Sequence, residues 1–213
     1  MASRFRDRRE AGARLARRLS GYAGRSDLVV LALPRGGVPV AREVARELRA
    51  PLDVFLVRKL GVPFHRELAM GAIATGGVRV LNTAIVDALG IPTAAIDAIA
   101  REEEAELSRR EREYRGDRPA PDVHDKVVVL VDDGLATGAT MRAAVTALRR
   151  LGPARVVVAV PTAAAEACTD MAEVADEVVC AETPAPFLAV GAWYEDFSET
   201  TDDDVRRLLS EAA

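Results

Sequence analysis

The stretch VVVLVDDGLATGATM, residues 127–141, decides how this chain is read. Val127–Val131 is a run of valine and leucine with no polar/apolar alternation, the pattern of a strand buried on both faces. It ends in two adjacent carboxylates, Asp132 and Asp133. Gly134, Ala136, Thr137, Gly138, Ala139 and Thr140 follow, and a helical pattern then runs through Leu148 to Arg150. The first turn of such a helix leaves N–H groups unpaired and carries partial positive charge. Small side chains let a phosphate approach those groups, and Thr137 and Thr140 add hydroxyl donors, so Ala136–Thr140 reads as a phosphate cradle. The better-known phosphate loops do not fit, because there is no lysine for GxxxxGK[ST] and no GxGxxG directly after the strand. Two acids suit neutral hydroxyls better than a pyrophosphate, and a carboxylate pair can accept hydrogen bonds from vicinal ribose hydroxyls. The pattern as a whole implies a ribose 5-phosphate. A loop with capping acids and no ligand is the bland alternative, and it leaves the coincidence of acids, small residues and threonines unexplained.

Outward from this stretch, apolar runs at Leu28–Leu33, Leu52–Val57, Val78–Leu81, Val156–Val160 and Glu177–Cys180 alternate with helical patterns at 38–49, 83–89, 93–115, 139–151 and 163–173. Such alternation predicts an α/β fold with a parallel sheet flanked by helices. Thr93 stands where it can cap the helix over 93–115, with Pro92 before it and Gly116 and Pro119 ending it. The pairs Glu106/Arg110 and Glu111/Arg115 contribute about 0.2–0.5 kcal/mol each and predict a solvated surface helix. Thr201 followed by Asp204 predicts a short helix with Val205, Leu208 and Leu209 on one face.

The chain has 213 residues, 49% of them hydrophobic and 29% charged, which suits one domain at roughly 150 residues each and excludes a mostly disordered chain. No stretch approaches the ~18 apolar residues of a membrane span, and the start has no apolar signal-peptide core. Cys168 and Cys180, the two cysteines, read as small buried thiols of a reducing, cytoplasmic chain. His65 and His124 stand too far apart in sequence to suggest a zinc site. Eight arginines fall in the first 25 residues. Leu15, Leu19 and Tyr22 at helical spacing make this a solvated amphipathic helix rather than a nucleic-acid arm. Four of the nine aromatic residues fall between Phe187 and Phe197, as a small satellite core or a stacking platform for a flat ligand.

The 127–140 stretch resembles the signature of the type I phosphoribosyltransferases, which bind 5-phosphoribosyl 1-pyrophosphate (PRPP). The resemblance runs from LPRGG (33–37) through VRK (57–59) to AVGAWYEDF (189–197), the last similar to an uncharacterised bacterial branch. It implies that fold, with residues 1–185 as a PRPP-binding core carrying an N-terminal helix and a flexible loop at about 60–77. Residues 186–213 would be a hood segment and C-terminal helix within the same structural unit. It further implies pyrophosphate contacts from Arg35, Gly36, Gly37, Arg58 and Lys59, with Arg58 and Lys59 ending the second strand. The 60–77 loop, carrying His65, Arg66 and Glu67, would close as a lid. Asp132 and Asp133 would be the catalytic pair, and Phe187, Trp193 or Tyr194 would stack on a base. Mg2+ would be held near Asp132, Asp133, Glu195 and Asp196. The implied partners are PRPP and a nucleobase-like acceptor, in a homodimer; the lack of an apolar span and of a nucleic-acid-binding signature beside the arginines argues against membrane and nucleic acid. Enzymes for 6-oxopurines carry an acid where this chain has Ala136 and a lysine where it reads Val160-Pro161-Thr162, which argues against hypoxanthine and guanine. A non-catalytic sensor of PRPP or a nucleotide on the same fold is the alternative.

Overall fold

Alternate residues of a strand face opposite sides of a sheet, so a strand of valines and leucines needs cover on both sides. A computed structural model describes residues 4–116 and 118–212. Residues 1–3 and 213, the outer ends of the two predicted segments, lie outside the described residues. Strands β1 (Leu28–Ala32), β2 (Leu52–Val54), β6 (Val127–Val131), β7 (Arg155–Thr162) and β8 (Glu177–Glu182) form one parallel sheet in the order β2-β1-β6-β7-β8. Val127, Val129 and Val131 face one core with α1 (Arg8–Arg18), α2 (Gly37–Leu48), α4 (Thr93–Arg115) and α7 (Asp202–Ser210). Val128 and Leu130 face a second core with α5 (Ala139–Arg149) and α6 (Ala165–Met171). Each such fully buried side chain is worth about 1.5–3 kcal/mol in removal from water. This is the expected parallel sheet flanked by helices, followed by a small C-terminal segment, the expected hood, that carries α7.

The sheet order puts a topological switch between β1 and β6, where one connection leaves toward β2 and the other toward β7. Ligands of parallel α/β sheets bind in the crevice beyond the strand ends at such a point. Ala32 and Val131 are register partners, so the 33–36 and 132–138 loops leave the sheet side by side.

Several expectations are corrected. Val78–Leu81 (β5) does not join the parallel sheet. It pairs antiparallel with β4 (His65–Ala74), which pairs with β3 (Val57–Val62) in a separate three-stranded sheet. The run 52–57 therefore splits, and Arg58 and Lys59 open β3 instead of ending the second strand. The 60–77 segment is mostly hairpin. Its glycines serve close strand approach, since a Cβ on Gly71 would sit 2.3 Å from the Val80 carbonyl oxygen and one on Gly61 2.7 Å from that of Arg66. Only the tip projects, with Phe64 wholly exposed at φ 67°. Thr93 does not cap α4, whose N-cap is Pro92 with no side-chain hydrogen bond. That helix carries the expected pairs Glu106/Arg110 and Glu111/Arg115, but it also buries Ile96, Ala100, Leu107, Tyr114 and Arg115. Arg115 reaches Asp53 at 2.9 Å and donates to the Val54 carbonyl at 2.6 Å. Cys168 and Cys180 are not separate buried thiols. The α6 crossover brings the first beside β8, and the two half-buried residues form a disulfide. Thr201 and Asp204 do form a capping box at the start of α7.

Candidate functional site

The loop after β6 is shaped by its small residues. Gly138 is the N-cap of α5 at φ 73°, a left-handed conformation that favours glycine. The backbone N–H groups of the first turn are thereby presented to a cavity of about 190 Å3, lined by Asp132, Gly134, Ala136, Thr137, Thr140 and Val190 among others. The predicted cradle residues Ala136, Thr137, Gly138, Ala139 and Thr140 all line it. Val190, from the hood, closes one wall, and a Cβ on Gly134 would lie 2.4 Å from it.

The loop after β1 lies directly on the acids. A Cβ on Gly36 would fall 2.0 Å from Asp133 Oδ2, and one on Gly37 would fall 2.8 Å from the Val131 carbonyl oxygen and 3.0 Å from Asp132 Cα. Two glycines are therefore what lets the predicted pyrophosphate loop meet the acidic pair. The Pro34–Arg35 peptide in this loop is cis. Arg35 forms an ion pair with Glu199 of the hood.

The two carboxylates sit in unlike surroundings. Burial holds the Asp132 carboxyl well above the usual carboxylate range, and the neighbouring Asp133 charge adds to the effect. Asp132 Oδ1 accepts the Asp133 backbone N–H at 2.8 Å. Burial also raises Asp133, opposed by the Arg8 guanidinium beside it. Arg8 donates to Asp133 Oδ2 through Nε at 2.9 Å, and its NH2 forms an ion pair with the same oxygen at 2.9 Å. This corrects the reading of the N-terminal arginines as a solvated face, because Arg8 is largely buried and reaches across 125 positions. Gly12 makes this possible: it packs α1 against α2, where a Cβ would be 2.6 Å from the Val40 carbonyl oxygen.

The hood residues divide. Tyr194 is only 3% exposed, packed between Phe5 and Phe197 with ring centroids 5.5 and 5.0 Å away. Its hydroxyl donates to the Asp133 carbonyl at 2.6 Å, and burial pushes its pKa up. It therefore props the acidic pair and has no free face for a base, contrary to the stacking role expected of it. Phe187 and Trp193 are half-buried, and the Trp193 indole N–H has no hydrogen-bond partner among the described residues. Glu195 and Asp196 are exposed and bind the N-terminal segment through their backbones, N–H to the carbonyls of Phe5 and Arg6.

Two predicted groupings are not assembled. Among the described residues no cluster of three or more His, Cys, Asp or Glu could hold a metal ion, so Asp132, Asp133, Glu195 and Asp196 are not a ligand set. Arg58 and Lys59, adjacent on β3, point to opposite faces. Arg58 pairs with Glu103 of α4 at 2.7 Å, and Lys59 borders a larger cavity under the hairpin tip with Phe64 and Arg66. His65 is exposed at that tip. Arg8, Val190 and Glu199 were missed by the sequence reading. The only signal for Arg8 was the excess of arginine at the start, which names no individual residue.

Among the described residues no helix is long and apolar enough to cross a membrane. The chain matches the family described as phosphoribosyl transferase domain over residues 4–61 and 66–191. A Mycobacterium tuberculosis protein, named provisionally as a phosphoribosyl transferase, is 50% identical over 208 residues, 98% of this chain and 47% of that protein. The chain thus spans about half the length of the curated relatives it matches first. The bifunctional protein PyrR of Chloroflexus aurantiacus is 33% identical over 129 residues, 59% of this chain and 65% of that protein. The crystal structure of TT1426 from Thermus thermophilus matches with a TM-score of 0.87 and 48% identity, covering 99% of both chains.

Proposed function

The chain belongs to the phosphoribosyl transferase family, and on that premise we propose that it transfers the 5-phosphoribosyl group of PRPP to a nitrogenous base, releasing pyrophosphate. The observation that carries this reading is the meeting of two loops at the β1/β6 switch: a phosphate-sized cavity at the start of α5, with the glycines of the 33–37 loop packed on Asp132 and Asp133. In this reading Ala136–Thr140 take the 5-phosphate with backbone N–H groups and hydroxyls. Asp132 and Asp133 hold the ribose hydroxyls, and their negative field favours the positive charge that builds on the sugar at C1. Gly36 presents its backbone N–H to the diphosphate, Gly37, whose own N–H is taken by the Leu33 carbonyl at 3.1 Å, leaves room for it by having no side chain, and Arg35 exchanges Glu199 for it. Holding donor and acceptor in line supplies much of the rate. The half-buried Phe187 and Trp193 are the residues we assign to the base. Ala136, and Val160-Pro161-Thr162 at the end of β7, favour a purine or pyrimidine other than hypoxanthine or guanine.

The family reading includes Mg2+. The donors present fit an ion that arrives on the diphosphate, with Asp132 offering a hard carboxylate oxygen beside the cavity and substrate oxygens and water completing the shell. Held there, Mg2+ would supply neutralising charge for the diphosphate. The expected assembly is a homodimer, which light scattering reads.

The test is pyrophosphate release from PRPP and Mg2+ with a panel of purine and pyrimidine bases, beside calorimetric titration of PRPP. Release with one base, abolished by Asp132→Asn, supports the transferase. PRPP binding without release across the panel overturns turnover and leaves a sensor. No PRPP binding overturns the assignment of the pocket.

A further inference from the structure

We propose that Arg8 is a positioning residue for the acidic pair: one guanidinium grips a single oxygen of Asp133 and the hood together, and so aims the other carboxylate oxygen at the sugar. This rests on the transferase reading of the pocket and assigns a task to a residue from the opposite end of the chain.

The geometry uses nearly every feature that distinguishes arginine from lysine. Nε donates to Asp133 Oδ2 at 2.9 Å and NH2 lies 2.9 Å from the same oxygen, leaving Oδ1 without a hydrogen bond to any other described residue. NH1 donates to the Ser198 carbonyl at 2.7 Å. The flat face lies 4.0 Å from the centre of the Phe197 ring, a cation–π contact. The same aspartate is held from the other side, its carbonyl taken by the Tyr194 hydroxyl. Phe5, three residues before Arg8, pairs with Tyr194 as an isolated bridge and donates its N–H to the Trp193 carbonyl. The start of α1 and the hood therefore form one unit, and Arg8 is its link to the carboxylate. An Asp side chain has two soft torsions, and fixing one oxygen from a rigid helix removes the freedom that would otherwise be lost when the sugar binds. A lysine offers a single point charge and cannot hold Asp133, Ser198 and Phe197 at once.

The experiment compares wild type with Arg8→Met, Arg8→Lys and Asp133→Asn, using two calorimetric probes: PRPP, which needs the acids, and inorganic phosphate, which needs the 136–140 loop alone. Arg8→Met is expected to weaken PRPP by about 10–100-fold, the usual weight of a charged hydrogen bond, while phosphate affinity holds within about twofold. Arg8→Lys recovers part of the loss. In an Asp133→Asn background the further effect of Arg8→Met falls below about threefold, because the two act as a unit. Should Arg8→Met not fold, Phe197→Leu removes the shelf under the guanidinium and gives a milder loss, again confined to PRPP. Equal losses on both probes, or losses from Arg8→Met and Asp133→Asn that multiply, overturn the proposal. A wild type that binds PRPP beside an Arg8→Met variant that binds it equally well overturns the role of Arg8 alone. A wild type that binds no PRPP removes the transferase reading, and this proposal with it.

Discussion

Replacing Gly37 with alanine tests whether the two loops must touch. The added Cβ would stand 2.8 Å from the Val131 carbonyl oxygen, 3.0 Å from Asp132 Cα and 3.2 Å from Asp132 Oδ1. Two of these neighbours are backbone at the end of a central strand, so they cannot rotate away as a surface side chain could. The start of α2 must retreat from the acids by several tenths of an ångström. Overpacking of this kind costs about 1–3 kcal/mol, and the better helix propensity of alanine returns up to about 1 kcal/mol. At roughly 2–4 °C per kcal/mol for a chain of this size, Tm falls by up to about 12 °C. The larger consequence is for binding, because a loop displaced by ~1 Å can lose about 100-fold in effectiveness. Thermal melts and calorimetry with PRPP read the two effects, and Gly21→Ala is the control, since nothing lies within 4 Å of a Cβ there. If Gly37→Ala melts with wild type and binds PRPP with unchanged Kd, the close contact of the 33–37 loop with the acids is not what builds the site.

Three further outcomes follow from the geometry. Burial raises both acids of the pair above the ordinary value of 3.8, so the stability they allow is complete below that pH and is lost as pH rises through the raised values. Asp132→Asn is therefore expected to melt above wild type near neutral pH, with the gap closing in acid, while PRPP binding is lost; a variant less stable than wild type at neutral pH would refute this. Arg115→Met strips the buried partner from Asp53 and the Val54 carbonyl, which costs about 3–5 kcal/mol, and denaturant unfolding should show it. Tyr194→Phe leaves the Asp133 carbonyl without its donor at a cost of about 1–3 kcal/mol, visible as a lower Tm together with weaker PRPP binding.

What was legible in the sequence was local. The β6–loop–α5 unit is declared by an apolar run, two acids and a glycine-bearing turn, each within a few residues of the next. The α7 capping box was equally plain from Thr201 and Asp204. Short-range patterns carry their own physics: side-chain period, cap chemistry and backbone freedom act between neighbours. The sheet to which Val78–Leu81 belongs was not legible, because apolar strands read alike whether they pair parallel or antiparallel. The hairpin over 60–77 was not legible either, because Gly61 and Gly71 are spacers for strands that cross closely, a role that shows only once the strands are paired. The placement of Arg8 on Asp133 and the burial of Tyr194 between Phe5 and Phe197 also arose only in three dimensions. The sequence by itself determined the α/β layering and the acid pair and glycine-bearing turn between β6 and α5. Only the packing of α1 and the hood onto the sheet decided which distant charge meets which acid, because that depends on surfaces that become neighbours after the chain has folded.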